Sequence, residues 1–104
     1  MNVIQLDTND YRCPEVMIKV RRFLRSEMKP GTIAKVKTIE PSSMRDIPFY
    51  CSHSGLYVHS SKAGNDGSYE FIICNSEAEA LQYEDNQKIE VKVINASDKQ
   101  VARD

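Results

Sequence analysis

Apolar residues recur at helical spacing in two stretches of the chain, and these stretches alternate with segments of strand character. Between residues 14 and 28 apolar side chains return every three or four positions, and Lys29-Pro30-Gly31 ends that segment. Ser43-Met44-Arg45-Asp46 resembles a capping box, with Asp in the usual Glu position, and a second helical stretch runs from about Met44 to Ser54, where Gly55 stops it. The pattern therefore predicts two helices, of which the first is amphipathic.

Strand character is found in four segments, and two of them form the clearest pair. Residues 56–62 and 68–74 are joined by Gly64-Asn65-Asp66-Gly67, whose Asp-Gly pair is typical of a hairpin turn. The other two segments, residues 3–6 and 32–39, are rich in aliphatic and β-branched side chains. The order strand, helix, strand, helix, strand, strand predicts an α/β fold. We expect a two-layer α/β sandwich, with both helices on one face of a four-stranded mixed sheet.

The last thirty residues continue beyond that unit. We place one domain at residues 1–75 and a C-terminal extension at residues 76–104. Ser76-Glu77-Ala78-Glu79 has the character of a helix start, for a short helix that reaches Tyr83. Residues 88–94 alternate well enough to predict an extra strand at a sheet edge, and the polar residues 95–104 are expected to fray.

Composition narrows the class of protein and its compartment. The 104 residues are 40% hydrophobic and 28% charged, which is ordinary for a soluble globular domain. No apolar run approaches the roughly 20 residues that span a membrane, and the first residues lack the character of a signal peptide. Three cysteines without a Cys-x-x-Cys pair argue against a disulfide framework. We therefore expect a cytoplasmic protein that does not bind membranes.

Cys13-Pro14-Glu15 is the most informative local feature, because it places a cysteine where the first helix begins. Proline suits the first helical position, and we expect Pro14 to occupy it. The thiol then lies beside unpaired backbone N–H groups and the positive end of the helix dipole, which favour the nucleophilic thiolate form. The alternative is a buried structural cysteine, since cysteine is among the most buried residue types.

Three ordered motifs together resemble the TusA/SirA-like family of small sulfur-carrier proteins. They are Leu6-Asp7 leading into Arg12-Cys13-Pro14-Glu15, then Pro30-Gly31, and then Arg45-Asp46-Ile47-Pro48 followed by Cys51. The resemblance covers about residues 4–74, and the fold that it implies agrees with the order of elements predicted above. The chain departs from the family at Val16, where the family's Cys-Pro-x-Pro motif has its second proline.

The resemblance implies that Cys13 accepts sulfur as a persulfide from a cysteine desulfurase and relays it to a downstream acceptor protein. Such a protein is a relay rather than a stand-alone enzyme, and no bound cofactor is implied. Pro14 and Glu15 would support the helix start. Arg45 and Asp46 would have a structural or docking role, the structural one being a cap and an ion pair that hold the second helix to the preceding loop. The basic residues near the thiol would steer an acidic partner and are the docking candidates: Arg12, Lys19 and Arg22.

Other interpretations of the same residues stay open from sequence. A nonreactive adaptor or regulator with the same fold is the first alternative, and RNA binding through the basic helix is a weaker one because no aromatic run flanks it. A partner for Cys13 among His53 and His59 is conceivable, although no metal site is expected because paired ligand spacing is missing. Cys51 is expected in the core, while Cys74 is expected to be less constrained and open to exposure.

Overall fold

The computed structural model describes residues 2–85 and 91–95, with side chains for residues 2–84. The elements follow one another as β1 (Asn2–Asp7), α1 (Glu15–Glu27), β2 (Thr32–Thr38), α2 (Ser43–Ser54), β3 (Tyr57–Ala63), β4 (Tyr69–Cys74), α3 (Glu77–Asp85) and β5 (Val91–Asn95). Among the described residues, no helix has the length and apolar character that crossing a membrane requires.

The strands form one mixed sheet in the order β3-β4-β2-β1-β5. β1 pairs in parallel with β2 and with β5, whereas β4 pairs antiparallel with β2 and with β3. The predicted α/β class, the four-stranded mixed core and the extra C-terminal strand at a sheet edge are all confirmed. Residues 96–104, which we expected to fray, lie outside the described part of the chain.

α1 and α2 cover one face of the sheet, as the sequence predicts. The helical stripe of α1 is fully buried at Val16 and Val20, and it packs on Val36 and Phe71 of the sheet. Cys51 of α2 belongs to the same cluster. Since burying a side chain of this size stabilises a fold by about 1.5–3 kcal/mol, this contact is what holds the two helices on the sheet.

The opposite face of the sheet is covered by α3, an arrangement that the sequence did not predict. Neighbouring strand residues point to opposite faces, so a second cluster forms behind the first. It contains Ala80 of α3 and the sheet residues Val3, Ile33, Ile72 and Cys74.

Two polar contacts fasten the start of the extension to the turn that follows α1. The Gly31 backbone N–H donates to a Glu79 carboxylate oxygen at 3.0 Å. Asn75 Nδ2 donates to the Lys29 carbonyl at 2.7 Å.

The helix ends differ from expectation in one respect. Gly55 ends α2 with a left-handed φ of +76°, as predicted. α1, however, begins at Glu15, so Pro14 is its N-cap residue and not its first helical residue. The prediction of Pro14 as the first helical residue was wrong by one position: Pro14 caps the helix, with φ −93° and ψ −1° in the right-handed helical region and a carbonyl that accepts from the Ile18 N–H.

Candidate functional site

Cys13 is an exposed free thiol in the loop that leads from β1 into α1. The Cys13–Pro14 peptide bond is cis. The Pro14 carbonyl accepts hydrogen bonds from the N–H groups of Met17 at 3.2 Å and Ile18 at 3.3 Å. The residue that follows the cysteine is thus hydrogen-bonded to the first turn of the helix. These bonds fix the position of the backbone beside Cys13 relative to α1.

Val16 makes a contact that the family's motif proline could not make. Its backbone N–H donates to the Arg12 carbonyl at 3.0 Å, and a proline has no N–H to donate. Its side chain is fully buried in the core beneath the loop. Where the family's motif has a rigid proline ring, this chain thus has a hydrogen bond that spans Cys13, from Val16 to Arg12, and a side chain packed in the core.

Glu40 reaches the same loop from the segment between β2 and α2. The Cys13 backbone N–H donates to Glu40 Oε1 at 3.2 Å. This hydrogen bond is the largest cause of a lowered pKa of the Glu40 carboxyl, followed by hydrogen bonds from Ser42 and the charge of Arg12. The carboxylate is therefore ionised at neutral pH and clamps the cysteine loop to a segment 27 residues further along the chain.

A cleft of about 620 Å³ opens between α1 and α2, and Cys13 forms part of its wall. Most of the lining is apolar and comes from Met17, Ile18, Phe49 and Tyr50. Phe49 is 65% exposed and Ile18 is 41% exposed, which is unusual for such large apolar side chains. A thiol beside a concave apolar surface of this kind is accessible to a partner that brings its own apolar side chains.

The charged groups of the cleft are Arg21 from α1 and Asp46 from α2. Asp46 Oδ1 accepts a hydrogen bond from Arg45 Nε at 3.0 Å. We expected Arg45 and Asp46 to hold the second helix to the preceding loop, but the pair joins neighbouring residues of α2 itself.

The three predicted docking residues are not part of the cleft lining. Arg12 lies close enough to Glu40 to act on its charge, and Lys19 Nζ lies 4.8 Å from the centre of the Tyr11 ring. Arg22 is exposed on α1. The role of these three side chains in docking stays a prediction, and Arg21 is a basic residue that sequence reasoning missed.

The two histidines have separate surroundings. His53 lines the cleft that contains Cys13, and its ring centre lies 4.3 Å from that of Phe49. His59 is a residue of β3, and its Nε2 is 3.0 Å from a carboxylate oxygen of Glu84 in α3. Only one of the two residues that we considered as partners for the thiol therefore shares its cleft. Across residues 2–84, no group of three His, Cys, Asp or Glu side chains is arranged to hold a metal ion.

The other two cysteines are buried. Burial raises the pKa of the Cys51 thiol to about 12, which agrees with the predicted core position. Burial, with a smaller contribution from the Glu79 charge, raises the pKa of the Cys74 thiol to about 11. The expectation that Cys74 is open to exposure was wrong, because α3 covers the sheet face on which it lies. Cys13 is thus the exposed thiol among the three cysteines of the chain.

Comparison with known proteins assigns most of the chain to one family. Residues 4–75 match the family model described as sulfurtransferase TusA. The sulfur carrier protein TusA of Buchnera aphidicola subsp. Baizongia pistaciae is 41% identical over 70 residues, which are 65% of this chain and 84% of that protein. The sulfur carrier protein TusA of Pseudomonas fluorescens is 37% identical over 46 residues, which are 44% of this chain and 54% of that protein. The match to the family model includes the cysteine loop, both helices that form the cleft and the hairpin, and the chain belongs to the TusA family.

Proposed function

We propose that this protein is a sulfur carrier that accepts sulfur as a persulfide on Cys13 from a cysteine desulfurase and passes it to an acceptor protein. The observation that carries the proposal is the exposure of Cys13 beside an apolar cleft, while the other two thiols are buried. The relatives named above are sulfur carrier proteins, and their similarity supports the same role here.

The chemistry needs little beyond an accessible thiol. In loading, the Cys13 thiolate attacks the terminal sulfur of the desulfurase persulfide, and the desulfurase cysteine leaves with the electron pair of the broken S–S bond. In delivery, an acceptor thiolate attacks the terminal sulfur on Cys13 in the same manner. Neither step needs an oxidant, a metal or a bound cofactor, because the transferred sulfur keeps its oxidation state.

The cleft provides the contact surface for both partners. Burying Phe49 and Ile18 against a partner would remove exposed apolar surface from water, which is the main driving force for association. Arg21 at the cleft and the docking candidates Arg12, Lys19 and Arg22 around it give this end of the molecule a basic rim, and such a rim steers an acidic partner surface. We place this relay in the cytoplasm, where cysteines stay reduced.

The proposal is tested by intact-protein mass after incubation with a cysteine desulfurase and cysteine in the absence of reductant. We expect a gain of whole sulfur atoms that a reductant removes, and complete loss of that gain in Cys13→Ser. Cys74→Ala is the matched control, because it removes a buried thiol with a small change in volume, and it should load like the wild type. Loading of Cys13→Ser, or no loading of the wild type by an active desulfurase, would contradict the proposal.

A nonreactive adaptor is the second candidate, and the exposed Phe49 is the observation that favours it, since an apolar surface can bind a partner without any sulfur chemistry. Binding of Cys13→Ser to the desulfurase does not distinguish a carrier from an adaptor, because either one can bind without the thiol. A wild-type protein that binds the desulfurase but never gains sulfur would be an adaptor.

A further inference from the structure

His53, which lines the cleft, is held by a hydrogen bond at one of its ring nitrogens. Its Nδ1 lies 3.0 Å from the Phe49 carbonyl oxygen, and a carbonyl oxygen can only accept. Ser52 Oγ lies 3.3 Å from Nδ1 and donates its own hydrogen to the same carbonyl at 2.9 Å. We therefore assign the hydrogen of the neutral ring to Nδ1, which leaves the lone pair on Nε2. A tilted ring contact with Phe49, with 4.3 Å between the ring centres, restrains the ring further.

Cys13, in the loop before α1, and His53, on α2, line one cleft. An acceptor thiol that approaches Cys13 through this cleft therefore does so beside His53. We propose that His53 Nε2 accepts the proton of the incoming acceptor thiol as that thiol attacks the persulfide on Cys13. This inference rests on the proposed function and adds a second participating residue to it.

The step balances without any further reagent. The acceptor S–H bond breaks and its proton goes to His53 Nε2, while the acceptor sulfur forms a bond to the terminal sulfur on Cys13. The S–S bond on Cys13 breaks, its electron pair goes to Cys13 Sγ, and Cys13 leaves as a thiolate. The imidazolium then returns its proton to that thiolate or to water, so that one persulfide and one thiol are consumed and one of each is formed.

The expected gain follows from thiol ionisation. A free cysteine thiol has a pKa of about 8.5, so only a few per cent of it is thiolate at neutral pH. Histidine is the side chain whose ordinary titration lies nearest neutrality, which suits it to accept such a proton. A base in place can therefore raise the reactive fraction by at most about thirtyfold near pH 7, and by almost nothing once the thiol ionises in bulk water.

The charged groups that line the cleft together with His53 are the Arg21 guanidinium on α1 and the Asp46 carboxylate on α2. Tyr50 and Cys13 itself are the other titratable groups of the same lining.

The test measures sulfur delivery from Cys13 to N-acetylcysteine, with the persulfide generated by inorganic polysulfide so that no desulfurase is needed. We expect His53→Ala to slow delivery by about 5- to 30-fold near pH 7, and the deficit to disappear above about pH 9. Added imidazole should restore the rate of His53→Ala. His53→Phe keeps an aromatic ring against Phe49 and should show the same pH-dependent deficit. His59→Ala is the matched control and should deliver sulfur like the wild type.

Equal rates for wild type and His53→Ala near pH 7 would overturn the inference. A deficit of the same size at every pH, without rescue by imidazole, would also overturn it, because that is the signature of a distorted cleft. These outcomes leave the proposed function intact, since that proposal depends on loading by the desulfurase. Failure of polysulfide to form any persulfide on Cys13 would contradict both.

Discussion

The two faces of the sheet are covered in different ways, and the exposed cysteine lies on the more open one. On the first face, α1 and α2 leave a cleft between them, with Cys13, His53 and the exposed Phe49 along it. On the second face, α3 buries Cys74, and His59 is paired with Glu84. Each face thus has cysteine and histidine side chains, and the helices that cover the face decide which of them are accessible.

We expect the largest effect from replacing the exposed apolar side chain on the cleft face, compared with one on the opposite face. Phe49 is 65% exposed on the cleft face and Leu81 is 59% exposed on α3, so they form a matched pair. We expect Phe49→Asp to weaken binding to the desulfurase by about tenfold or more, because an apolar contact at the centre of an interface is replaced by a charge. Leu81→Asp should leave binding unchanged.

Isothermal titration of both variants against the same desulfurase preparation measures this pair. Weaker binding by Leu81→Asp than by Phe49→Asp would contradict our account, because it would place the docking surface on the face covered by α3.

We expect a smaller effect, on stability alone, from removing a contact of α3 on the second face. Glu79 accepts hydrogen bonds from Gly31 and Asn75, whereas Glu77 is exposed two residues earlier in α3. We expect Glu79→Ala to lower the free energy of unfolding by about 1 kcal/mol, with a fall in melting temperature of about 4–8 °C. Glu77→Ala should change it little, and neither variant should reduce sulfur loading of Cys13. A loading defect in Glu79→Ala with normal stability would contradict a purely structural role for the extension.

The smallest expected effect concerns the clamp on the cysteine loop. The pKa of Glu40 is lowered from its usual 4.5, chiefly by the hydrogen bond from Cys13, so the ionised carboxylate favours the folded state. That contribution is present above about pH 4.5 and is lost as the pH falls through the lowered value. The melting temperature of the wild type should therefore exceed that of Glu40→Gln at pH 6, and the difference should shrink in acid. A difference that is constant from pH 6 to pH 3 would show that the charge of Glu40 is not involved.

The sequence was sufficient to predict the order of the first six elements, the hairpin and the cysteine at the start of α1. These features depend on local periodicity and on turn residues, as at Gly55 and in the Asp66-Gly67 pair. The cleft could not be predicted in this way. Periodicity shows that Met17 is on the buried side of α1, but it does not show that Phe49 and His53 of α2 lie opposite.

The same limit explains the errors. Ser43 and Asp46 resemble a capping box, yet Ser42 precedes the helix and its hydroxyl donates to Glu40 at 3.2 Å. Ser43 is instead buried inside α2. Long-range contacts of this kind, like the bond from Cys13 to Glu40, depend on how β2 and α1 are placed and have no signal in the local pattern.

The most direct test of the central claim is to locate the sulfur within the wild-type protein. This needs no substitution at any of the three cysteines, two of which are buried. The protein is loaded with desulfurase and cysteine, alkylated in the native state, digested and analysed by mass spectrometry of the three cysteine peptides. Our account predicts alkylated persulfide on the Cys13 peptide and unmodified sulfur on the other two. Persulfide on the Cys51 or Cys74 peptide, or on none of the three, would contradict it.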